Sequence, residues 1–455
     1  MSRAVTGATR LGRFLFRSPP SPASKTVLRS SVTVSGAVLA ATATTAAATA
    51  TVASMVAYSS SVSQPEILAG SVPADVQDLA HHIKDKNGRT IRFRNPYPST
   101  GGVEPMSWAM AMDMFRAAWK GEMRFPDVKN ANIPSTKPKF LTSRTGSASL
   151  RATWLGHSCY YIEFPSGLRV LFDPVFEDRC SPVQWLGPKR YTQPPCSLSD
   201  LPTVDAVVIS HSHYDHLSHP SVVELAKKNP EAHFFVGLGL AKWFLQSGIS
   251  KVTEMDWWQD IELTLQKKKD EAQTSTSEND DPSAPDTITA RISCLPCQHS
   301  SGRSNLDQNH TLWASWAVSS GGKSVWFGGD TGYRRVPRVP PGVNDYGPEY
   351  ESLPRCPQFK QIGELRGPFD LGLIPIGAYK PRHVFSWMHA NPYDAVEIFK
   401  DTRCKRAMGI HWGTWVLTSE DVEEPPKLLR EALKVNGLPE EGVFDVCALG
   451  ETREF

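Results

Sequence analysis

Three histidines and one aspartate fall within six residues at His211-Ser-His213-Tyr214-Asp215-His216. The apolar run 207–209 leads into them, which reads as a buried strand ending in a turn. On extended backbone His211 and His213 project to the same side. Asp215 and His216 follow at once and face a second point a few ångströms away. Imidazole and carboxylate together suit Zn²⁺, and two such ions about 3.5–4 Å apart would act on one substrate together. Four donors cannot close two sites, so the chain must supply more. His299 follows Leu295-Pro-Cys-Gln, Asp330 closes Val325-Trp-Phe-Gly-Gly, and His411 follows Ala407-Met-Gly-Ile. Each is a short apolar run ending in a metal-capable side chain. One alone would read as a satisfied polar residue at a strand end; beside H-x-H-x-D-H they read as ligands.

The elements that must position these residues have a mixed texture. From about residue 151, β-like runs at 159–164, 169–172, 206–209, 288–292, 324–327 and 371–374 alternate with helical patterns at 221–228 and 392–400. Alternation of this kind, with polar clusters at strand ends, predicts an α/β architecture. Upstream, 106–119 reads as a helix with Trp108, Met112, Phe115 and Trp119 on one face, either a membrane-facing stripe or a core face. Residues 266–286, three lysines and then a Ser/Thr/Glu/Asp/Pro tract, read as a disordered insertion without a catalytic role. Cys294 and Cys297 form a lone C-x-x-C, read as two reduced thiols at a strand end. Trp257-Trp258 reads as packing or a cavity wall.

The chain has 455 residues, with 49 Lys+Arg against 47 Asp+Glu. Residues 1–65 hold six of the bases and no acid, which leaves 43 bases against 47 acids in a mildly acidic body. That balance argues against a nucleic-acid protein dependent on phosphate neutralisation. Residues 1–31, rich in Arg and Ser, have the composition of a mitochondrial presequence. Residues 32–58 are uncharged and long enough for a membrane anchor. A cleaved or low-complexity leader and a secretory signal-anchor are the competing readings. The division expected is therefore presequence 1–31, anchor 32–58, linker 59–90 and one hydrolase-sized domain over 91–455.

The motif series His211-x-His213-x-Asp215-His216, a distant His, Gly-Gly-Asp330-Thr-Gly and a final His resembles the metallo-β-lactamase superfamily. Trp154-Leu-Gly-His157, Phe172-Asp-Pro174, Gly187-Pro-Lys-Arg190, Gln298-His299, Gly329-Asp330-Thr-Gly-Tyr333, Ile376-Gly-Ala-Tyr379 and Ile410-His411-Trp-Gly-Thr414 narrow the resemblance to the N-acylphosphatidylethanolamine-hydrolysing phospholipase D family. It covers about residues 90–455. It implies an αββα sandwich, two facing β-sheets with outer helices and metals at one edge. It further implies two Zn²⁺ per chain: His211, His213 and His299 on one, Asp215, His216 and His411 on the other, and Asp330 bridging. Tyr214 and His389 match the active-site neighbourhood, Tyr214 as a substrate contact and His389 as the non-ligand catalytic histidine. Met388 stands where the family commonly has Gln, which bears on polar contacts from that side chain only.

The reaction implied is release of N-acylethanolamine from a membrane phospholipid, leaving phosphatidic acid, with His389 as general acid or orienter. Asp215 could be drawn as a base, but a carboxylate committed to a metal is a poor one. The partners expected are the phospholipid substrate, a membrane surface and, by resemblance, a second copy in a homodimer. The location expected is mitochondrial, at the inner membrane. Two other functions stay open: a hydrolase of the same fold acting on a small ester, lactone or cyclic phosphate, and a non-catalytic membrane-tethered scaffold.

Overall fold

The computed structural model describes residues 58–64, 72–73, 80–103, 108–268, 284–340 and 342–455. The presequence and nearly all of the anchor expected from the sequence lie outside them. Among the described residues, strands form two large sheets and a short hairpin. One sheet has seven strands in the spatial order Thr452–Glu454, Arg151–Gly156, Cys159–Glu163, Arg169–Phe172, Ala206–Val208, His233–Gly237 and Val252–Met255. The other has eight, in the order Tyr58–Ser63, Asp260–Lys267, Thr287–Leu295, Ser315–Ser320, Lys323–Phe327, Phe369–Pro375, Cys404–Ile410 and Phe444–Asp445. Parallel pairing appears where helices intervene, as between Ala206–Val208 and His233–Gly237, which flank the helix His219–Lys228. A parallel crossover needs such an element to return the chain.

Strands such as Cys159–Glu163 and Arg169–Phe172 are buried at every position, because each is covered on both faces. Between the sheets, Phe172 meets Phe327 at 4.7 Å between ring centroids, and Trp154 stacks on Trp412 at 5.1 Å. The Trp316 indole N–H donates to the Ile209 carbonyl across the same interface. On the outer face of the seven-stranded sheet, Val222, Leu225 and Phe244 of two helices pack over Val207, Phe234 and Tyr161. Phe359, Ile362, Val396 and Leu429 cover the eight-stranded sheet from helices Gln358–Leu365, Pro392–Asp401 and Glu424–Val435. The result is the αββα sandwich that the resemblance implied.

Three expectations change. The linker expected over 59–90 and the boundary at 91 give way to an edge strand, Tyr58–Ser63, paired antiparallel with Asp260–Lys267. Tyr58 is buried with the Arg144 guanidinium over its ring at 4.5 Å, so this strand belongs to the sandwich. Its serine-rich sequence lacks an apolar alternation because only Tyr58 and Val62 have a core to meet. Within the same expected linker, His82–Lys84 pairs with Thr90–Phe93 as a hairpin. The insertion placed at 266–286 begins later, since Gln266 pairs with Thr287 and the Lys267 N–H donates to the Asp286 carbonyl. The helix expected at 106–119 runs Trp108–Trp119, but Phe115 and Trp119 are 62 % and 83 % exposed, so those two positions are not a core face. Cys294 and Cys297 are buried free thiols, and Trp257 and Trp258 are buried packing residues.

Candidate metal centre

The strand Ala206–Val208 ends at the sheet edge, and its chain turns through the His-rich motif before entering helix His219–Lys228. Arg303 holds that turn: its guanidinium donates to the Ser212 and Leu217 carbonyls and lies 3.9 Å from the Tyr214 ring centroid. The other donors come from strand ends of the opposite sheet. His299 follows Thr287–Leu295, Asp330 follows Lys323–Phe327, and His411 follows Cys404–Ile410. Close approach of the two edges demands glycine at 329. A Cβ there would sit 2.6 Å from the Ser210 Cβ, and its φ of +58° favours glycine as well.

All seven residues read from the sequence converge in two groups. In one, His213 Nδ1 lies 2.8 Å from His211 Nε2 and 3.2 Å from His299 Nε2. In the other, Asp215 Oδ2 lies 3.4 Å from His216 Nε2 and 3.3 Å from His411 Nε2. Asp330 faces both. Its Oδ2 is 3.0 Å from His411 Nε2, 3.7 Å from His299 Nε2 and 4.0 Å from His211 Nε2, and its Oδ1 is 3.2 Å from His216 Nε2. Of the two further positions, His389 is buried with Nδ1 3.9 Å from Asp330 Oδ2. Tyr214 sits on the adjoining surface between Arg303 and the Val175, Cys180 and Trp415 cluster.

The proton arrangement turns lone pairs inward. His299 Nδ1–H donates to the Met388 carbonyl at 2.9 Å, so Nε2 is left bare. Position 388 therefore serves the centre through its backbone carbonyl, a contact in which its side chain takes no part. His216 Nδ1–H donates to Asp173 Oδ2 at 2.6 Å, and Ser210 Oγ links Asp173 to His211 Nδ1 at 2.6 and 2.9 Å. Outer hydrogen bonds of this sort fix the tautomer of a ligand imidazole. His216 Nε2 and Asp330 Oδ1 then face each other buried, without a hydrogen-bond partner. A cluster of bare acceptors out of water calls for a cation, so the residues present fit a divalent metal.

Electrostatics agree. Burial alone would raise the Asp330 carboxyl, but His216 and His411 beside it hold it well below the carboxylate range. Asp215 is held down similarly, by His216 first and then His157 and His411. Burial pushes His211 and His299 well below the ordinary histidine value, the neutral form a ligand needs. His216 and His411 go the other way, His216 well above the ordinary histidine value and His411 to about 9, because Asp330 and Asp215 outweigh their burial; the pocket draws positive charge, as protons here or as a metal cation.

His157, part of the Trp154-Leu-Gly-His157 motif, joins the second group, that of Asp215, His216 and His411. Its Nε2 lies 3.0 Å from Asp215 Oδ2 and its ring 4.2 Å from that of His411. Asp173, without a role in the sequence reading, supports His216. His157, Asp173 and His411 all take positive φ, at 52°, 39° and 62°. Such backbone persists in non-glycine residues only where surroundings impose it.

A family profile described as "Beta-lactamase superfamily domain" matches residues 168–412. An N-acyl-phosphatidylethanolamine-hydrolyzing phospholipase D of Caenorhabditis elegans is 38 % identical over 345 residues, 72 % of this chain and 85 % of that protein. A mitochondrial protein of that name from Saccharomyces cerevisiae is 34 % identical over 309 residues, 67 % of this chain and 55 % of its own. Among solved structures, a metallo hydrolase of Ignicoccus hospitalis aligns with TM-score 0.43 at 20 % identity, covering 68 % of this chain and 98 % of its own. The profile match, the nematode relative and the ligand geometry together establish that the chain belongs to the N-acylphosphatidylethanolamine-hydrolysing phospholipase D family of the β-lactamase superfamily and is a metal-dependent hydrolase.

Proposed function

We propose that the chain is a zinc-dependent phosphodiesterase that hydrolyses N-acylphosphatidylethanolamine to N-acylethanolamine and phosphatidic acid, with two Zn²⁺ per chain. The observation that carries this reading is Asp330, whose two oxygens face both donor groups. A pair of ions bound there would supply a water acidified towards neutral pH and positive charge for a phosphoryl group. Hydrolysis would join a water oxygen to phosphorus and break the bond from phosphorus to the ethanolamine oxygen, with one proton of the water passing to the leaving oxygen. His389, with Nδ1 3.9 Å from Asp330 Oδ2, is the candidate to serve the leaving oxygen. Burial pushes its imidazole below the ordinary histidine value, which favours the orienter over the general acid of the two roles expected for it. Asp215, turned to His157, His216 and His411, acts as a ligand.

A panel of N-acylphosphatidylethanolamine, a lactone, a thioester and a cyclic nucleotide tests the substrate class. The expected result is turnover of the phospholipid alone, with N-acylethanolamine and phosphatidic acid as products. Faster turnover of any other member would move the chain to that chemistry.

The place of action proposed is a mitochondrial membrane, the inner one. The acid-free, Arg-rich residues 1–31 and the word mitochondrial in the yeast relative's name support it. Among the described residues no helix is long and apolar enough to cross a membrane. A surface contact is available instead: Phe115 and Trp119 at the end of helix Trp108–Trp119, and Phe125 beyond it, are 62 %, 83 % and 67 % exposed. Burying each such ring in lipid stabilises by about 1.5–3 kcal/mol. A Phe115→Glu, Trp119→Glu variant is therefore expected to bind phospholipid vesicles at least about tenfold more weakly in a flotation assay. Turnover of a detergent-dispersed substrate should stay unchanged.

A further inference from the structure

Away from the metal centre, two neighbouring histidines and a distant aspartate meet. His81 Nε2 lies 2.8 Å from Asp256 Oδ1 and His82 Nε2 lies 2.8 Å from Asp256 Oδ2, across 175 and 174 residues of sequence. We propose that His81, His82 and Asp256 form a second cation site, which takes one zinc-like divalent ion and fastens the segment 80–100 to the sandwich. None of the three belongs to the centre described above.

The geometry points to a ligand set. Adjacent residues on a strand face opposite ways. Here His81 sits in the turn before strand His82–Lys84, so both imidazoles reach one carboxylate. One donor atom from each residue lies within 4.8 Å of the other two. Two imidazoles and a carboxylate are a set zinc uses with its fourth position open. The side chains of His81, His82 and Asp256 are 2 %, 6 % and 11 % exposed, so the group is sheltered yet reachable.

Each donor is also held from behind. The His81 ring stacks on Trp257 at 4.3 Å and 19°. His82 Nδ1 is hydrogen-bonded to Thr90 Oγ1 at 2.8 Å, which fixes the ring with Nε2 towards Asp256. The Trp257 N–H donates to Asp256 Oδ1 at 2.8 Å and fixes the carboxylate. Support of this kind is what orients metal ligands before the metal arrives.

The segment so fastened continues to the catalytic edge. Asn95 Nδ2 donates to the His299 carbonyl at 2.7 Å, and Ser99 Oγ donates to the Gln298 side chain. An ion at His81, His82 and Asp256 thus anchors a strap that braces the backbone of a catalytic-centre ligand, without touching substrate.

The test counts metal. The full chain is stripped with chelator, reloaded with zinc salt, freed of excess by gel filtration, and assayed for zinc per protein. Wild type is expected to hold one equivalent more than His82→Gln or Asp256→Asn, whatever number the catalytic centre holds. Zinc should also protect wild type, and neither variant, from protease cleavage within 80–100. Equal zinc in wild type and variants overturns the proposal. Should both variants fail to fold, Thr90→Val removes only the hydroxyl behind His82. It is expected to weaken one class of zinc site at least about tenfold in chelator competition, and an unchanged set of affinities overturns the proposal equally.

Discussion

Asp330→Asn is expected to lower turnover at least about a thousandfold, beyond the ~10²–10³ typical of losing one preorganised donor. The reason is position. One carboxylate oxygen lies 3.0 Å from His411 Nε2 and within 4.0 Å of His211 and His299, and the other lies 3.2 Å from His216 Nε2. The amide has the same shape but no charge, and its nitrogen donates where a lone pair is needed. Both donor groups lose their shared anion at once, so zinc content should fall along with rate. Asp215→Asn is the internal comparison. Asp215 lies closest to His157, His216 and His411, so the His211, His213 and His299 group should keep its metal better than in Asp330→Asn. Metal analysis and single-turnover assays on both variants check this. Full turnover by Asp330→Asn would remove the basis of the proposed mechanism.

The second large effect is expected from a residue that no substrate touches. Asp173 is buried and accepts three hydrogen bonds, from the Ser210 N–H at 2.8 Å, Ser210 Oγ at 2.6 Å and His216 Nδ1 at 2.6 Å. Asp173→Ala frees His216 to rotate or change tautomer and releases Ser210 from His211. Loss of such a partner typically costs 10–100-fold in metal affinity or activity, and a loss of about that size is expected here. Removing one partner of a buried hydrogen bond also destabilises, by about 1–3 kcal/mol for the group left unsatisfied. The two effects separate experimentally. Excess zinc should restore much of the rate, whereas urea unfolding of the metal-free variant should stay destabilised. Wild-type zinc affinity in Asp173→Ala would show that His216 is positioned by other means.

The ligand set could be read from the sequence because its members follow short apolar runs, and these strands end at one edge of the sandwich. His211, His213, Asp215 and His216 even announce themselves by spacing. Asp173 and His157 do not, since a single buried aspartate or histidine has no local pattern and acquires its role only from tertiary neighbours. The His81, His82 and Asp256 group was hidden for the same reason, its members lying 175 and 174 residues apart. Strand Tyr58–Ser63 escaped because four serines gave it the composition of a linker, and only its pairing with Asp260–Lys267 makes it a strand. In the helix Trp108–Trp119, periodicity placed the aromatic residues on one face but could not say whether protein or solvent would meet Phe115 and Trp119.

Because the donors come from two sheets, the centre has a place in the order of assembly. A chain in which only the seven-stranded sheet has formed owns His211, His213, Asp215 and His216 but can complete neither group. His299, Asp330 and His411 arrive only when the eight-stranded sheet docks face to face against it. Tight metal capture would therefore need both sheets in place, and metal bound there would act as a latch between the halves. Without metal the halves are held by apolar packing and by hydrogen bonds such as Trp316 to Ile209, with Asp330 and His216 facing across the seam. After capture, sliding one sheet along the other requires breaking coordination bonds. Metal supply thus governs not only whether the chain can react but how firmly its two layers stay in register.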